Sequence, residues 1–212
     1  MKFKTLYFLL AGLLAVGPVA ADTKTDAEFN QMMQSSFRDE GIATVDRLKQ
    51  DETNAACSKA MGAHLPAASA QSIEKAALAS VRPPSDGKYL GDWRAGEKLA
   101  QNGRGMTWNE KSAATSSNGG NCYNCHQLSK AELSFGTIGP SLYRYGANRG
   151  VTDPQSPTAK PIVEYAWNKL NNSKATNACS DMPRFGQAGL LSEAQLKDLM
   201  ALLLDPESVV NR

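Results

Sequence analysis

Histidine is nearly absent from this 212-residue chain: His64 and His126 are the only two. Any centre that needs an imidazole is therefore almost located by counting. Charge of one sign is missing as well, with 23 Lys and Arg against 21 Asp and Glu. Removing residues 1–21, which hold Lys2 and Lys4 and no acid, brings that balance to zero. A neutral chain has no basic footprint for phosphate backbones, so nucleic-acid binding is excluded as a leading class. Alternating strand patterns are nearly missing too, and the hydrophobic content of 42% is that of ordinary globular material.

Only one long apolar run is present, and it lies at the start. Lys2 and Lys4 precede Leu6–Val16, and Val19-Ala20-Ala21 supplies the small residues at which export leaders are cleaved. The alternative is a membrane anchor. The charge-free run from Thr5 to Ala21 is 17 residues, broken by Gly17-Pro18, which is short for a span. The reading is a signal peptide over 1–21, no stable membrane span after cleavage, and an exported, periplasmic protein in an oxidising compartment.

The four cysteines are Cys57, Cys122, Cys125 and Cys179. Cys122-Tyr123-Asn124-Cys125-His126 is C-x-x-C-H, the attachment pattern of a c-type haem. Thiols at i and i+3 reach both vinyl groups of one porphyrin, and the adjacent histidine falls over the iron. A zinc site would want a second pair of ligands, which the chain lacks, and a thioredoxin-like pair has no use for His126. One covalent haem c is expected, on Cys122 and Cys125, with His126 as an axial ligand. Met182, in Asp181-Met182-Pro183-Arg184-Phe185, is the candidate for the other axial position. It follows His126 by 56 residues, in a polar setting unlike a core methionine stripe. Cys179 and the remoter Met106 are competing ligands. His64 reads as a solvent or packing residue. Tyr145, Trp167 and Arg184 are candidate contacts to the porphyrin or its propionates, and equally candidate core or surface residues.

The predicted fold class is all-α. Asp92 is positioned to cap a helix over 91–100, and Pro161 opens another with Ile162, Ala166 and Leu170 on one stripe. Ser192 and Gln195 form a capping box before an apolar run to Leu204, stopped by Asp205-Pro206. The domain organisation reads as a signal peptide 1–21, a helical N-terminal extension 22–86 and a monohaem cytochrome c domain 87–212. In the extension, Thr25 to Glu28 is a capping box. Phe29, Met33, Phe37, Val45 and Leu48 fall on one helical stripe with Gly41 as its weak point, and a second helix covers Ala68–Ala79. These helices either pack over the cytochrome core or face a partner. Arg82–Gly87 reads as a linker or sharp turn, Arg38-Asp39-Glu40 as a solvated run, and Ser112–Asn121 and Ala147–Pro161 as loops.

Gly136-Thr137-Ile138-Gly139-Pro140-Ser141-Leu142 resembles the G-P-x-L element of class I cytochromes c. By that resemblance the Pro140 carbonyl accepts the axial histidine's Nδ1–H. A narrower likeness joins Asp86–Trp93, Gly103–Trp108, Gly119–Leu128, Gly136–Tyr143 and Asn177–Gly186. Together these resemble the SoxX subunit of the SoxAX cytochromes over most of 86–206. Ser35–Gly41 and Asp46-Arg47-Leu48 resemble the N-terminal extension of some members. The resemblance implies a class I cytochrome c domain and a periplasmic heterodimer with the SoxA cytochrome subunit. It also implies a share in an L-cysteine S-thiosulfotransferase that couples thiosulfate to a cysteine of the SoxYZ carrier protein. The family's reactive haem sits on SoxA, so this chain would relay electrons to a soluble cytochrome c acceptor and carry no catalytic residue itself. The alternative is a free-standing periplasmic monohaem electron carrier.

Cys57 and Cys179 are left once the haem takes its pair. In an exported protein two spare cysteines are more often bridged than free, and only one pairing exists. The expectation is a Cys57–Cys179 disulfide tying the extension to the loop three residues before Met182. The competing readings are a second sulfur near iron at Cys179 and a buried free thiol at Cys57.

Overall fold

A computed structural model describes residues 23–60 and 64–212 and divides the chain into compact units of 1–38 and 39–212. The expected signal peptide lies outside the described residues. No described helix is long and apolar enough to cross a membrane.

In the first unit α1 runs from Thr23 to Ser36. Thr25 lies inside this helix, so the expected capping box does not mark its start. The helical stripe from Phe29 to Leu48 is also corrected. The helix stops at Ser36, Gly41 turns the chain at φ +54°, and Val45–Leu48 is a separate 3₁₀ turn. Phe29, Phe37, Val45 and Leu48 are all exposed. The period was real but too weakly supported by flanking apolar residues to hold one helix through a left-handed glycine.

The second unit holds α2 (Glu52–Ala60), α3 (Ala67–Ser80), α4 (Trp93–Gln101), α5 (Lys160–Asn171) and α6 (Glu193–Leu204). Among the described residues there is no strand, only an isolated bridge between Glu40 and Ala43. The caps explain the boundaries. The Asp92 carboxylate accepts from Arg94 N at 2.9 Å, and both arms of the Ser192–Gln195 capping box are made. Pro161 sits in the first turn of α5, where its missing N–H costs nothing. The α2 helix had no sequence signature strong enough to be anticipated.

The core is built on α6. Leu196, Leu199, Met200, Leu202, Leu203 and Leu204 are buried there, packed with Val163, Ala166, Trp167 and Leu170 of α5. Each such side chain removed from water contributes roughly 1.5–3 kcal/mol. The first helix of this core, α4, crosses α6 at Gly96. A Cβ there would stand 2.1 Å from the Asp198 carbonyl oxygen and 3.0 Å from Leu202 Cβ, so only glycine allows the approach. Asn211 closes the far end of α6, its amide donating to Leu203 O and Asp205 O while its oxygen accepts from Gly146 N and Ala147 N. The α3 helix packs on the Ser173–Ala175 turn. The α2 helix has no buried residue.

Candidate functional site

The C-x-x-C-H segment forms a short 3₁₀ turn, Cys122–Asn124, entered from Asn121 at φ 52°. Cys125 N and His126 N both donate to Cys122 O, at 3.1 and 2.8 Å, which brings the two thiols and the ring onto one tight turn. The 136–142 loop is then zipped against it. Gly136 N donates to Tyr123 O, Gly139 N to Cys125 O and Leu142 N to Gln127 O, each at 2.8 Å. This ladder delivers the Pro140 carbonyl to His126, with Nδ1 and the oxygen 2.6 Å apart. Since a carbonyl only accepts, Nδ1 carries a proton, and in the neutral imidazole Nε2 is then the atom free to donate its lone pair to a metal. Gly139 makes room for the ring: a Cβ there would lie 2.1 Å from His126 Cε1 and 2.5 Å from Nδ1.

Cys122, Cys125, His126, Pro140 and Met182 all line one cavity of about 500 Å³. Leu128, Leu142, Tyr145, Leu170, Phe185, Leu199, Leu202 and Leu203 supply much of its wall. Burial, with Cys125 alongside, pushes the Cys122 thiol up to about 12, so it stays protonated at neutral pH.

Met182 arrives from a segment without regular structure. Its carbonyl accepts from the fully buried Ser173 hydroxyl at 2.6 Å, and its N–H donates to Ser180 Oγ at 3.3 Å. Of the competing sulfurs, Cys179 borders the cavity but is joined to Cys57 in a disulfide with the Cα atoms 5.6 Å apart. Met106 is not among the lining residues, and its carbonyl accepts instead from Arg47. His64 is exposed.

The three aromatic and basic candidates divide. Tyr145 is buried in the cavity wall, which pushes its phenol up from the ordinary value. Trp167 is a core residue. Its indole N–H donates to Arg82 O at 2.8 Å and its ring meets Tyr89 edge-on. Arg184 pairs with the Asp51 carboxylate, away from the cavity. Sequence reasoning missed Arg149 and Lys169, both at the cavity. Arg149 stacks on Tyr145 at 3.7 Å, and Lys169 donates to Ser173 O and Ser180 Oγ, its ammonium pushed down by burial. Their helical and loop positions carry no local signal that separates them from surface cations.

No protein-family model matches the chain. A protein of Aquifex aeolicus (strain VF5) named an uncharacterized lipoprotein is 32% identical over 228 aligned residues, spanning 100% of both chains. A likeness of that extent, end to end, is one of common fold and descent: the chain belongs to the same family as this lipoprotein.

Proposed function

We propose that the chain is a monohaem c-type cytochrome of class I type that relays electrons in the periplasm as a subunit beside a SoxA cytochrome. The observation that carries this reading is the junction at His126. Its Nδ1 is tied to Pro140 O at 2.6 Å, while its ring, two thiols of a C-x-x-C pair and a methionine border one apolar cavity. The donor set fits a covalently held haem. The cradle left by the missing Cβ of Gly139, which the imidazole occupies, fits a ring that must stay in one orientation. Cys122 and Cys125 would hold the group, with His126 and Met182 as the side chains that would ligate its metal. When bound, such a group supplies a one-electron Fe(III)/Fe(II) couple.

The rest is done by the chain's own residues. The Pro140 carbonyl fixes the tautomer of His126 and raises the basicity of its Nε2. As a ligand, the Met182 thioether would favour the reduced metal and so a higher potential. Leu128, Leu199 and Leu202 keep water from the cavity, which disfavours added charge there. With both His126 and Met182 as donors to the metal, the group would supply electron transfer in place of a site for substrate.

The likeness of residues 86–206 to SoxX supports the larger setting. There SoxAX, an L-cysteine S-thiosulfotransferase, couples thiosulfate to the carrier cysteine of SoxYZ, and this chain passes the electrons to a soluble cytochrome c. The relative's name supports export.

The test is a spectrum with a pull-down. The protein from a strain that matures c-type cytochromes should carry one covalent haem and show, when oxidised, the weak sulfur-to-iron band at the red edge. Met182→Ala should abolish the band and lower the potential while leaving haem attached. A band and potential unchanged in that variant would remove Met182 from the ligand set. Absence of covalent haem from the wild type would sink the whole reading. A SoxA-like cytochrome should co-purify with the untagged chain; a haem-loaded chain that purifies alone and exchanges electrons on its own is the free-standing carrier.

A further inference from the structure

The segment that carries Met182 is held from outside by the two helices preceding α4. From α2 and the residue before it come the Cys57–Cys179 disulfide and the pairing of Asp51 with Arg184. From α3, the Glu74 carboxylate accepts the Ala178 amide at 3.1 Å, and Ser80 Oγ accepts from the Asn172 side chain at 3.0 Å. These four links bracket Met182 on both sides of the sequence, from residue 172 to residue 184.

How α2 is attached is the telling point. A helix usually stays on a domain by burying an apolar face, whereas no residue of α2 is fully buried, and Thr53 to Cys57 and Ala60 are only half-buried. Between it and the Met182 segment lies a second cavity of about 600 Å³, bordered by Gln50, Asn54 and Ser58 on one side and by Lys174, Asp181 and Met182 on the other. Across that gap the disulfide and the Asp51–Arg184 pair do the joining. Cys179, Ser180, Asp181, Met182 and Pro183 border both cavities, so this short stretch is a wall between them with little packing behind it. A wall of that kind keeps its place only as long as its outer ties do.

We propose that α2 and α3 form a clamp on the Met182 segment, with Cys57, Asp51 and Glu74 as positioning residues and the disulfide as a latch that a thiol can open. The ligand role of Met182 on which its redox consequence depends rests on the function proposed above; the mechanical claim does not. Opening the latch is a two-electron exchange: a dithiol reductant gives up two electrons and two protons, the Cys57–Cys179 bond becomes two thiols, and the reductant becomes a disulfide. The cavity beside the bond gives such a reagent access, and both cysteines are half-buried, not sealed. Once opened, α2 has no fully buried residue to retain it, and the Met182 segment is left with the Asp51–Arg184 pair and its ties to Ser173, Lys169, Lys174 and α3.

The decisive experiment uses the full haem-loaded chain as the Cys57→Ser/Cys179→Ser double variant, with Asp51→Asn as a gentler change. Amide exchange over 177–184 is compared with exchange over 122–142, and the sulfur-to-iron band is followed with temperature. The clamp requires exchange over 177–184 to rise about tenfold in the double variant and about twofold in Asp51→Asn, with 122–142 unaltered. It also requires the band to fade at a lower temperature than in the wild type. Equal exchange over 177–184 in all three proteins overturns the clamp. If the double variant does not fold, Asp51→Asn decides on the same two outcomes. A wild type that lacks the band refutes Met182 ligation and leaves the exchange comparison to judge the clamp by itself.

Discussion

The two sides of the cavity are built by opposite means. On the His126 side, residues 122–142 form a self-contained unit: three backbone hydrogen bonds of 2.8 Å zip the loop onto the turn, and the Pro140 carbonyl meets the ring at the end of that ladder. Every partner comes from within about twenty residues. On the Met182 side the backbone has no ladder. Its anchors are side chains, and several come from far away in sequence: Glu74, Cys57 and Asp51 lie 104, 122 and 133 residues from their partners. A backbone ladder fixes a group whatever the neighbouring side chains are, whereas side-chain ties can be cut one at a time. The structure thus combines a rigid imidazole side with an adjustable sulfur side.

The largest break in that contrast should come from overfilling the rigid side. In Gly139→Ala the new Cβ would start 2.1 Å from the His126 ring, and the ladder on either side prevents the loop from backing away. Overpacking of this kind costs about 1–3 kcal/mol, here expected at the upper end. Denaturant unfolding of the variant should show that loss, and the ring should no longer reach Pro140. A stability within about 0.5 kcal/mol of the wild type would mean that the loop is softer than its hydrogen bonds imply.

What could be read in advance follows the same division. The Asp92 cap and the Ser192–Gln195 box are local patterns whose physics fits within a few residues, and both lie where the sequence placed them, whereas the Pro140 contact to His126 was expected only from the family resemblance. The Cys57–Cys179 bond was accessible only because arithmetic left one pairing. Asp51 and Glu74 carried no such mark. A carboxylate just before a short helix, like Asp51, or within an alanine-rich one, like Glu74, looks like solvated surface until the fold brings Arg184 or the Ala178 amide to it. Trp167 went the other way: an aromatic near a cofactor motif invites a cofactor role, yet its indole is spent on Arg82 O in the core. The Phe29–Leu48 stripe shows the limit of periodicity alone, since the helix ends at Ser36, Gly41 turns the chain, and Phe29, Phe37, Val45 and Leu48 face water.

A smaller effect should separate the ties on the sulfur side from one another. Ser173 is fully buried and its hydroxyl donates to Met182 O at 2.6 Å, the shortest internal tie on that segment. Ser173→Ala removes the donor and leaves a carbonyl short of a partner, at a cost of about 1–2 kcal/mol. The loss should appear in chemical unfolding, and the 177–184 amides should exchange faster while those of 122–142 do not. Equal loosening of both stretches would erase the distinction between the two sides.

The smallest expected effect is a dependence on acid that belongs to the sulfur side. Burial works to raise the Asp51 carboxyl, but the Asn54 N–H, the Thr53 hydroxyl and the Arg184 guanidinium overcome it and hold the group at about 2, below the ordinary 3.8 of an aspartate. A carboxylate depressed on folding contributes stability that is fully present above its unfolded value and is lost as pH falls through the folded one. The window is therefore between about 4 and 2. The Asp51 side chain is 40% exposed, so solvent screening keeps the contribution below about 1 kcal/mol. Melting curves of the wild type and Asp51→Asn should differ by a constant small amount above pH ~4, where only the wild type has the charge. That gap should close as the pH approaches ~2, because protonation then turns the wild type into an equivalent of the variant. A gap that stays constant down to pH ~2 would show that the Arg184 pairing adds nothing to the hold on the Met182 segment, leaving the disulfide and Glu74 to hold it from outside.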